Sequence, residues 1–357
     1  MEQMQILLAI LVLLPFVSAL LLALCGSDRM RRLVVYGSAG VLMISAVAFA
    51  VCFFSGENLQ LRFLQSGGII DHTMLALEAG FAVLITVLSI KYRRYYVAVL
   101  SIVQTVLTFV YELGGYKPAV QPYNLFTDQL TVIMVLIIAV VGTLITVYAV
   151  GYMRDYHNHH KEYTDRRRFF FAMLYVFLGA MFGLVLSNSL LWLYFFWEIT
   201  SLVSFLLIGY TRTKEAVQNS FRALWMNLLG GLGFAAAIFW AGVRFGITDL
   251  QSLILCDGKL VVAPVILLAF AALTKSAQLP FSRWLLGAMV APTPSSAPVT
   301  TSTPSPAPAA AATKTATVKN AAIPQTSDVF PMEGLLALLA VGAVGFGAAG
   351  WLRKKHH

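Results

Sequence analysis

Charged residues are scarce in this 357-residue chain: Asp, Glu, Lys and Arg together make up 11% of it. A soluble domain carries about 25% charged residues. Hydrophobic residues reach 59%, and the mean hydropathy is +0.79. So little charge excludes an ordinary soluble protein and predicts a polytopic protein of the lipid bilayer.

Cysteine is also scarce, and the motifs of common cofactor sites are missing. The three cysteines, Cys25, Cys52 and Cys256, lie far apart and have no metal-ligand spacing. No P-loop, GxSxG or Rossmann glycine pattern occurs in a convincing context. The sequence therefore predicts no cofactor and no metal in this chain, so that any redox chemistry belongs to partner subunits.

Two basic features have simple explanations. The net charge of +9 falls largely in short loops and the last residues, where it sets membrane topology and does not indicate nucleic acid. His157, His159 and His160 fall in a polar segment with alternating charges, which is typical of a solvated loop. We expect no metal site there.

Long apolar runs dominate the chain, and nine of them are long enough to span a bilayer. They predict an all-α, polytopic transmembrane helix bundle of about nine spans, with a C-terminal tail helix after a disordered linker. The first run lacks a basic leader and an A-x-A site, so we interpret it as a retained helix. The runs are Met4–Cys25, Leu33–Phe54, Thr73–Ile90, Val97–Leu113, Leu130–Val150, Phe169–Leu186, Ser189–Tyr210, Ala223–Val243 and Leu260–Met289, with a tenth at Gly334–Leu352.

Basic residues are concentrated in alternate loops, those that follow the first, third, fifth and seventh runs. The positive-inside rule then puts the N-terminus outside and these four loops in the cytoplasm.

The composition changes abruptly after Val290. An Ala-, Pro-, Ser- and Thr-rich stretch follows, which cannot bury enough apolar surface to fold. We therefore divide the chain into N-terminal transmembrane helices at 1–123, a core at 124–296, a disordered linker at 297–328, and a hydrophobic helix with a basic tail at 329–357.

One lysine, Lys275, lies in the last long apolar run before the linker, with Pro280 five residues later. An ionisable group inside a membrane segment costs about 2.5–3.5 kcal/mol on insertion scales. A proline there leaves a backbone carbonyl without its helical donor. Neither feature helps a plain anchor, and together they predict a site.

An acid lies at comparable depth in another run. Glu198 is near the middle of its run, and Ser201, one turn away on the same face, is expected to hydrogen-bond its carboxylate. Pairing with Lys275 across helices would offset much of both insertion costs. Such a pair can pass protons, or it can be a static ion pair that orders the bundle.

Two further glutamates lie nearer to run ends. Glu112 is expected to reach the membrane interface, whereas the pattern leaves the role of Glu78 open. Gly230, Gly231 and Gly233 form a small-residue face that lets helices approach closely.

The stretch KSAQLPFSRWLLGAMVAPTP resembles a motif of the proton-translocating antiporter-like subunits. These are the large membrane subunits of respiratory complex I, of energy-converting hydrogenases and of multisubunit Na+/H+ antiporters. Phe196–Ile199 is similar to the W-E segment of that family, and NLFTDQL at 124–130 to its D-x-L stretch. The resemblance extends from about residue 1 to 297 and is strongest over 124–295.

The resemblance implies roles for individual residues. It implies that Glu198 and Lys275 are the proton-translocating pair, that Pro280 follows the helix break, and that Arg222 modulates the pair. It also implies a non-catalytic subunit that moves H+ or Na+ within a complex of other membrane subunits, of the NADH:quinone oxidoreductase or hydrogenase type.

The resemblance ends where the family pattern would continue. After Ser295, Ser296 and Ala297 the linker begins, and the histidine and second set of helices of the family do not follow. We therefore expect a C-terminally truncated subunit that carries half of an inverted-repeat transporter.

The tail is similar to a Gram-positive sortase sorting signal. Its parts are a motif, an apolar helix and a basic end, with Thr326 as the implied cleavage residue and a sortase as the implied partner. The usual motif is Leu-Pro-x-Thr-Gly; this chain has Ile in place of Leu and Ser in place of Gly. The motif residues are Ile323, Pro324, Gln325, Thr326 and Ser327.

The two resemblances conflict over topology. A sorting signal needs the linker outside, whereas nine spans from an outside N-terminus put it in the cytoplasm. We expect the tail to be a fused, truncated or frame-changed addition to a bacterial cell-membrane protein. The alternative is a non-translocating structural or chimeric membrane protein with a sortase-processed surface tail.

Overall fold

The computed structural model describes residues 2–24, 26–56, 60–61, 69–114, 124–256, 258 and 261–292. The expected linker, the tail helix and the sorting-signal residues Ile323–Ser327 lie outside the described residues. All structural statements below concern the described part of the chain.

The fold is an all-α helix bundle, as predicted. One pair of two-residue strands interrupts it: β1 (Gln60–Leu61) runs antiparallel to β2 (Leu125–Phe126). A π-helical turn, Ile138–Gly142, joins α5 to α6 in one continuous membrane helix. The helices are α1 Glu2–Leu24, α2 Asp28–Phe54, α3 Ile69–Lys91, α4 Tyr95–Leu113, α5 Gln129–Ile137, α6 Thr143–His159, α7 Arg167–Leu186, α8 Leu190–Ile208, α9 Lys214–Phe245, α10 Leu250–Leu255, α11 Val262–Lys275 and α12 Arg283–Ala288.

Eight helices among the described residues are long and apolar enough to cross a membrane. They correspond to the first eight predicted runs, and the chain is a multi-pass membrane protein. The ninth run differs, because its helix α11 has only 14 residues. At 1.5 Å per residue it is about 21 Å long, too short for a hydrocarbon core of about 30 Å.

The first helices form the outer part of the bundle. α1 packs against α2 and α7, and its far face keeps apolar side chains exposed, such as Leu24 at 72%. The long helix α9 is the most buried of the membrane helices and packs against α4, α8, α11 and α12. The core therefore lies around α8 and α9.

Polar side chains begin several helices and hold one end of the bundle together. Asp128 caps α5 by accepting from the Thr131 N–H at 2.7 Å, which gives the D-x-L stretch a structural role. At the same end, the Asn188 N–H donates to the Asn124 carbonyl at 2.7 Å, and the Leu250 N–H to the Asn188 carbonyl at 2.8 Å.

The basic loops lie together at the opposite end, here called the arginine-rich end. One cavity there is lined by Lys91 at the end of α3 together with Arg166 and Arg212 from two loops. A second is lined by Arg31 together with Arg166 and its neighbours. The grouping matches the loop pattern from which the cytoplasmic side is predicted.

Candidate functional site in the membrane

The ninth predicted run is a broken helix, and the break occurs at Lys275. The Gln278 N–H donates to the Leu273 carbonyl and the Ala277 N–H to the Thr274 carbonyl, which is the bond pattern of a Schellman motif. Ala277 occupies the left-handed position with φ +55°, where glycine is usual. The helix thus ends five residues before Pro280, which lies exposed in the following turn.

The second half of the run returns to the bundle and supports the break. The Trp284 indole N–H of α12 donates to the Thr274 carbonyl at 2.9 Å, so this helix-end carbonyl is satisfied. Gly287 lies against Asn219 near the start of α9, at the arginine-rich end. The two short helices together therefore extend from the Asn188 end of the bundle to the arginine-rich end.

Lys275 reaches α8 from the end of α11. Its ammonium donates to the Ser201 hydroxyl at 2.6 Å and to the Trp197 carbonyl at 3.3 Å. The ammonium also lies 5.0 Å from the centre of the Trp197 ring, a cation–π distance.

Glu198 is 5% exposed and faces a different helix. Its Oε2 accepts from the Gln104 side-chain amide of α4 at 2.9 Å. Glu198 and Lys275 interact electrostatically but form no ion pair within 4.0 Å in the described structure. Gln104 was not identified from the sequence, because a lone glutamine in an apolar run gives no signal of its partner.

Ser201 has a different partner from the expected one. Its hydroxyl donates to the Trp197 carbonyl one turn back, at 3.0 Å, and accepts from Lys275. It forms no hydrogen bond with the Glu198 carboxylate, although the two residues share a helix face. The back-bond to the carbonyl turns the hydroxyl towards Lys275.

Arg222 does not come to the pair. It is exposed and lies nine residues before Gly231, the α9 residue that contacts Glu198. Nine residues at 3.6 per turn make two and a half turns, which place Arg222 on the opposite face of α9. Arg222 forms no hydrogen bond with Glu198 or Lys275 in the described structure, and its modulating role stays a prediction.

Glycines of α9 let the helices meet closely at the site. A Cβ on Gly231 would lie 2.7 Å from Glu198 Oε1 and 2.9 Å from Gln104 Oε1. A Cβ on Gly230 would collide with the Thr274 side chain of α11. The small-residue face predicted from the sequence is thus the surface on which the acid and the broken helix pack.

Several buried polar atoms around the pair have no hydrogen-bond partner in the described structure. Such atoms are rare in folded proteins and each one calls for an explanation. Here they mark a polar interior at the depth of the pair. They are Gln104 Oε1, Tyr194 OH, Trp197 Nε1, Glu198 Oε1 and Asn227 Oδ1.

The three histidines do not converge. From the sequence we expected a loop, but His157 and His159 lie in the last turn of α6. His157 contacts the Tyr210 hydroxyl at 2.8 Å, His159 the Asp155 carbonyl, and His160 the Glu162 carboxylate.

Two family models match the chain. Residues 187–346 match the membrane domain described as "NADH:quinone oxidoreductase/Mrp antiporter, TM", and residues 121–170 match "NADH-Ubiquinone oxidoreductase (complex I), chain 5 N-terminus". The first match continues beyond residue 296, where we expected the resemblance to end. At the other end the matches begin at 121 and not at residue 1.

Curated relatives point to the same family. The chain is 32% identical over 209 residues to Na(+)/H(+) antiporter subunit A1 of Staphylococcus haemolyticus (strain JCSC1435), covering 57% of this chain and 25% of that protein. It is 29% identical over 248 residues to the subunit A1 of Staphylococcus aureus (strain JH9), covering 63% of this chain and 30% of that protein. The chain thus matches less than a third of either relative's length.

The fold also occurs in a solved structure, the membrane-bound sulfane sulfur reductase, an archaeal respiratory membrane complex. The similarity has a TM-score of 0.55 at 17% identity and covers 80% of this chain and 48% of that chain. Together, the two family models and the curated relatives support an antiporter-like membrane subunit, similar to those of NADH:quinone oxidoreductase and Mrp antiporters.

Proposed function

We propose that this chain is a non-catalytic, ion-translocating subunit of a multisubunit complex in a bacterial cell membrane. In this proposal it moves H+, or Na+ coupled to H+, through Glu198 and Lys275. Redox chemistry, where the complex has any, takes place in partner subunits.

The observation that carries the proposal is that an acid of α8 and a base of α11 meet the same turn of α8. Lys275 binds Ser201 and the Trp197 carbonyl, whereas the neighbouring residue Glu198 turns towards Gln104. Ionisable groups buried within membrane helices are expensive and usually functional.

The separation of the two charges supports proton transfer over a static ion pair. A contact pair would hold both groups charged, and here no contact within 4.0 Å exists between them in the described structure. Each group keeps polar partners of its own. A change of charge on one therefore alters the electrostatic energy of the other without first breaking an ion pair.

The names of the relatives support partner subunits. Two are called subunits of Na(+)/H(+) antiporters, and the solved neighbour is part of a respiratory membrane complex. We therefore expect the chain to act together with other membrane subunits.

Transport by variants of the assembled complex tests the proposal. In membrane vesicles, Glu198→Gln and Lys275→Ala are expected to lower gradient-driven transport by about 100-fold, the scale on which a positioned proton-transfer group contributes. The matched controls are Glu215→Gln and Lys214→Ala, two exposed residues in the first turn of α9. Wild-type transport in both test variants would contradict the proposal.

A further inference from the structure

A third ionisable group, Glu78 of α3, is buried in the membrane bundle and has no role in the proposed pair. It is 7% exposed and is the tenth residue of a 23-residue helix. Its Oε1 accepts from the Thr108 hydroxyl of α4 at 2.7 Å. No cation lies within 4.0 Å of it in the described structure, so pairing with a cation does not explain its burial.

One face of α4 connects this carboxylate with Glu198. Gln104, Thr108 and Glu112 follow one another at spacings of four and therefore share a helix face. Gln104 donates to Glu198, and Thr108, one turn on, donates to Glu78. Successive turns of α4 thus hold the carboxylates of α8 and α3.

Tyr194 lies near both carboxylates. It is wholly buried, one turn before Glu198 on α8, and its phenol oxygen has no hydrogen-bond partner in the described structure. The phenol interacts electrostatically with both Glu198 and Glu78. A hydroxyl that can donate and accept is therefore close enough to both acids to interact with them.

The same set of groups continues towards the end of the bundle opposite the arginine-rich end. Glu112, in the last turn of α4, interacts electrostatically with Glu78 and with Asp71 and His72 in the first turn of α3. The Trp192 indole N–H of α8 donates to Asp71 at 2.9 Å and fixes this end of α3 to α8. Ionisable groups thus extend from the bundle end to the site.

We propose that Glu78 is a second proton-carrying carboxylate, which receives H+ from the bundle end at Asp71 and His72 and passes it to Glu198 along this face of α4. In the transfer, the Glu78 carboxyl group loses its proton and becomes a carboxylate, and the Glu198 carboxylate gains one. Only O–H bonds break and form. The inference rests on the proposed transport role of Glu198.

Proton transport in vesicles that contain the assembled complex, followed with a pH-sensitive dye, tests this role. Glu78→Gln keeps the size of the side chain and its bond with Thr108 but cannot titrate, so we expect a loss of about 100-fold. Glu78→Asp, which retains a carboxyl group, is expected to restore most of the rate. Glu215→Gln is the matched control on an exposed surface.

Parallel measurement of Glu198→Gln separates the two proposals. Loss of transport in Glu198→Gln with a wild-type rate in Glu78→Gln would overturn the role of Glu78 and leave the proposed function standing. Wild-type rates in both variants would overturn both.

Infrared spectroscopy of the lipid-reconstituted complex gives a readout that a purely structural role would not change. We expect a carbonyl band of a protonated carboxyl group that fades as pH rises and is missing in Glu78→Gln. An identical band in wild type and Glu78→Gln would contradict a proton-carrying Glu78.

Discussion

At the scale of single residues, the partners of the charged groups decide what the site can do. Lys275 is held by the hydroxyl of Ser201 and a peptide carbonyl of the same helix. Glu198 is held by an amide of α4. Both charges therefore have polar partners that do not depend on each other.

Ser201→Ala removes one of the two hydrogen bonds to the Lys275 ammonium. Hydrogen bonds to charged groups contribute about 1.5–3 kcal/mol, so we expect transport to fall by about 10-fold or more. Ser204→Ala is the control, since in the described structure its hydroxyl donates to the Thr200 carbonyl and not to Lys275. Equal rates for the two variants in vesicles would exclude a role for the Ser201 hydroxyl.

Ala277 holds a left-handed backbone conformation at the helix break. This conformation costs an L-residue about 1–2 kcal/mol, and glycine avoids the cost. Ala277→Gly is therefore expected to raise the unfolding temperature of the full chain in detergent. Ala272→Gly, within the regular part of α11, is expected to lower the unfolding temperature, because glycine destabilises a helix interior by about 1 kcal/mol. A lower unfolding temperature in Ala277→Gly would show that the strain is absent.

At the scale of secondary-structure elements, the broken segment and α9 position the site. α11 ends where its lysine meets α8, and α12 satisfies the carbonyl at the break. α9 approaches α4, α8 and α11 through glycines. The sequence predicted α9 from its apolar run and the close approach from its small residues, but it predicted one long run where the structure has α11 and α12.

Gly231→Ala tests the close approach at Glu198. The added methyl group would lie 2.7 Å from Glu198 Oε1 and 2.9 Å from Gln104 Oε1. Overpacking of this kind costs about 1–3 kcal/mol, so we expect lower thermal stability and a marked loss of transport. Gly40→Ala is the control, because nothing lies within 4 Å of its added Cβ. Matching stabilities of the two variants would contradict the packing argument.

At the scale of the whole molecule, the basic loops meet at one end of the bundle, as the lining of two cavities shows. The positive-inside rule predicts that this end faces the cytoplasm. The spatial grouping strengthens the prediction, because the loops are far apart in the sequence.

Labelling with a membrane-impermeant thiol reagent measures this orientation. In a variant without native cysteines, Ser55→Cys at the end of α2 is expected to react in intact cells. Thr164→Cys in the arginine-rich loop before α7 is expected to react only after permeabilisation. Both positions are exposed, so each is the control for the other. The reverse pattern would mean that the predicted topology is inverted.

The sequence by itself determined the membrane class, the first eight helices and the burial of Glu198. These follow from hydropathy and spacing along the chain, which are local properties. The sequence also identified Lys275 and Glu198 as candidate site residues, because ionisable side chains are unusual in apolar runs.

Only the tertiary structure decided which side chains meet. It placed the Lys275 ammonium against Ser201 and the Glu198 carboxylate against Gln104. It put Arg222 on another face of α9 and Glu78 against Thr108 of α4. These contacts depend on the rotation and spacing of helices that are distant in the sequence. A residue's own run fixes its depth in the membrane, but its neighbours on other helices determine its partners.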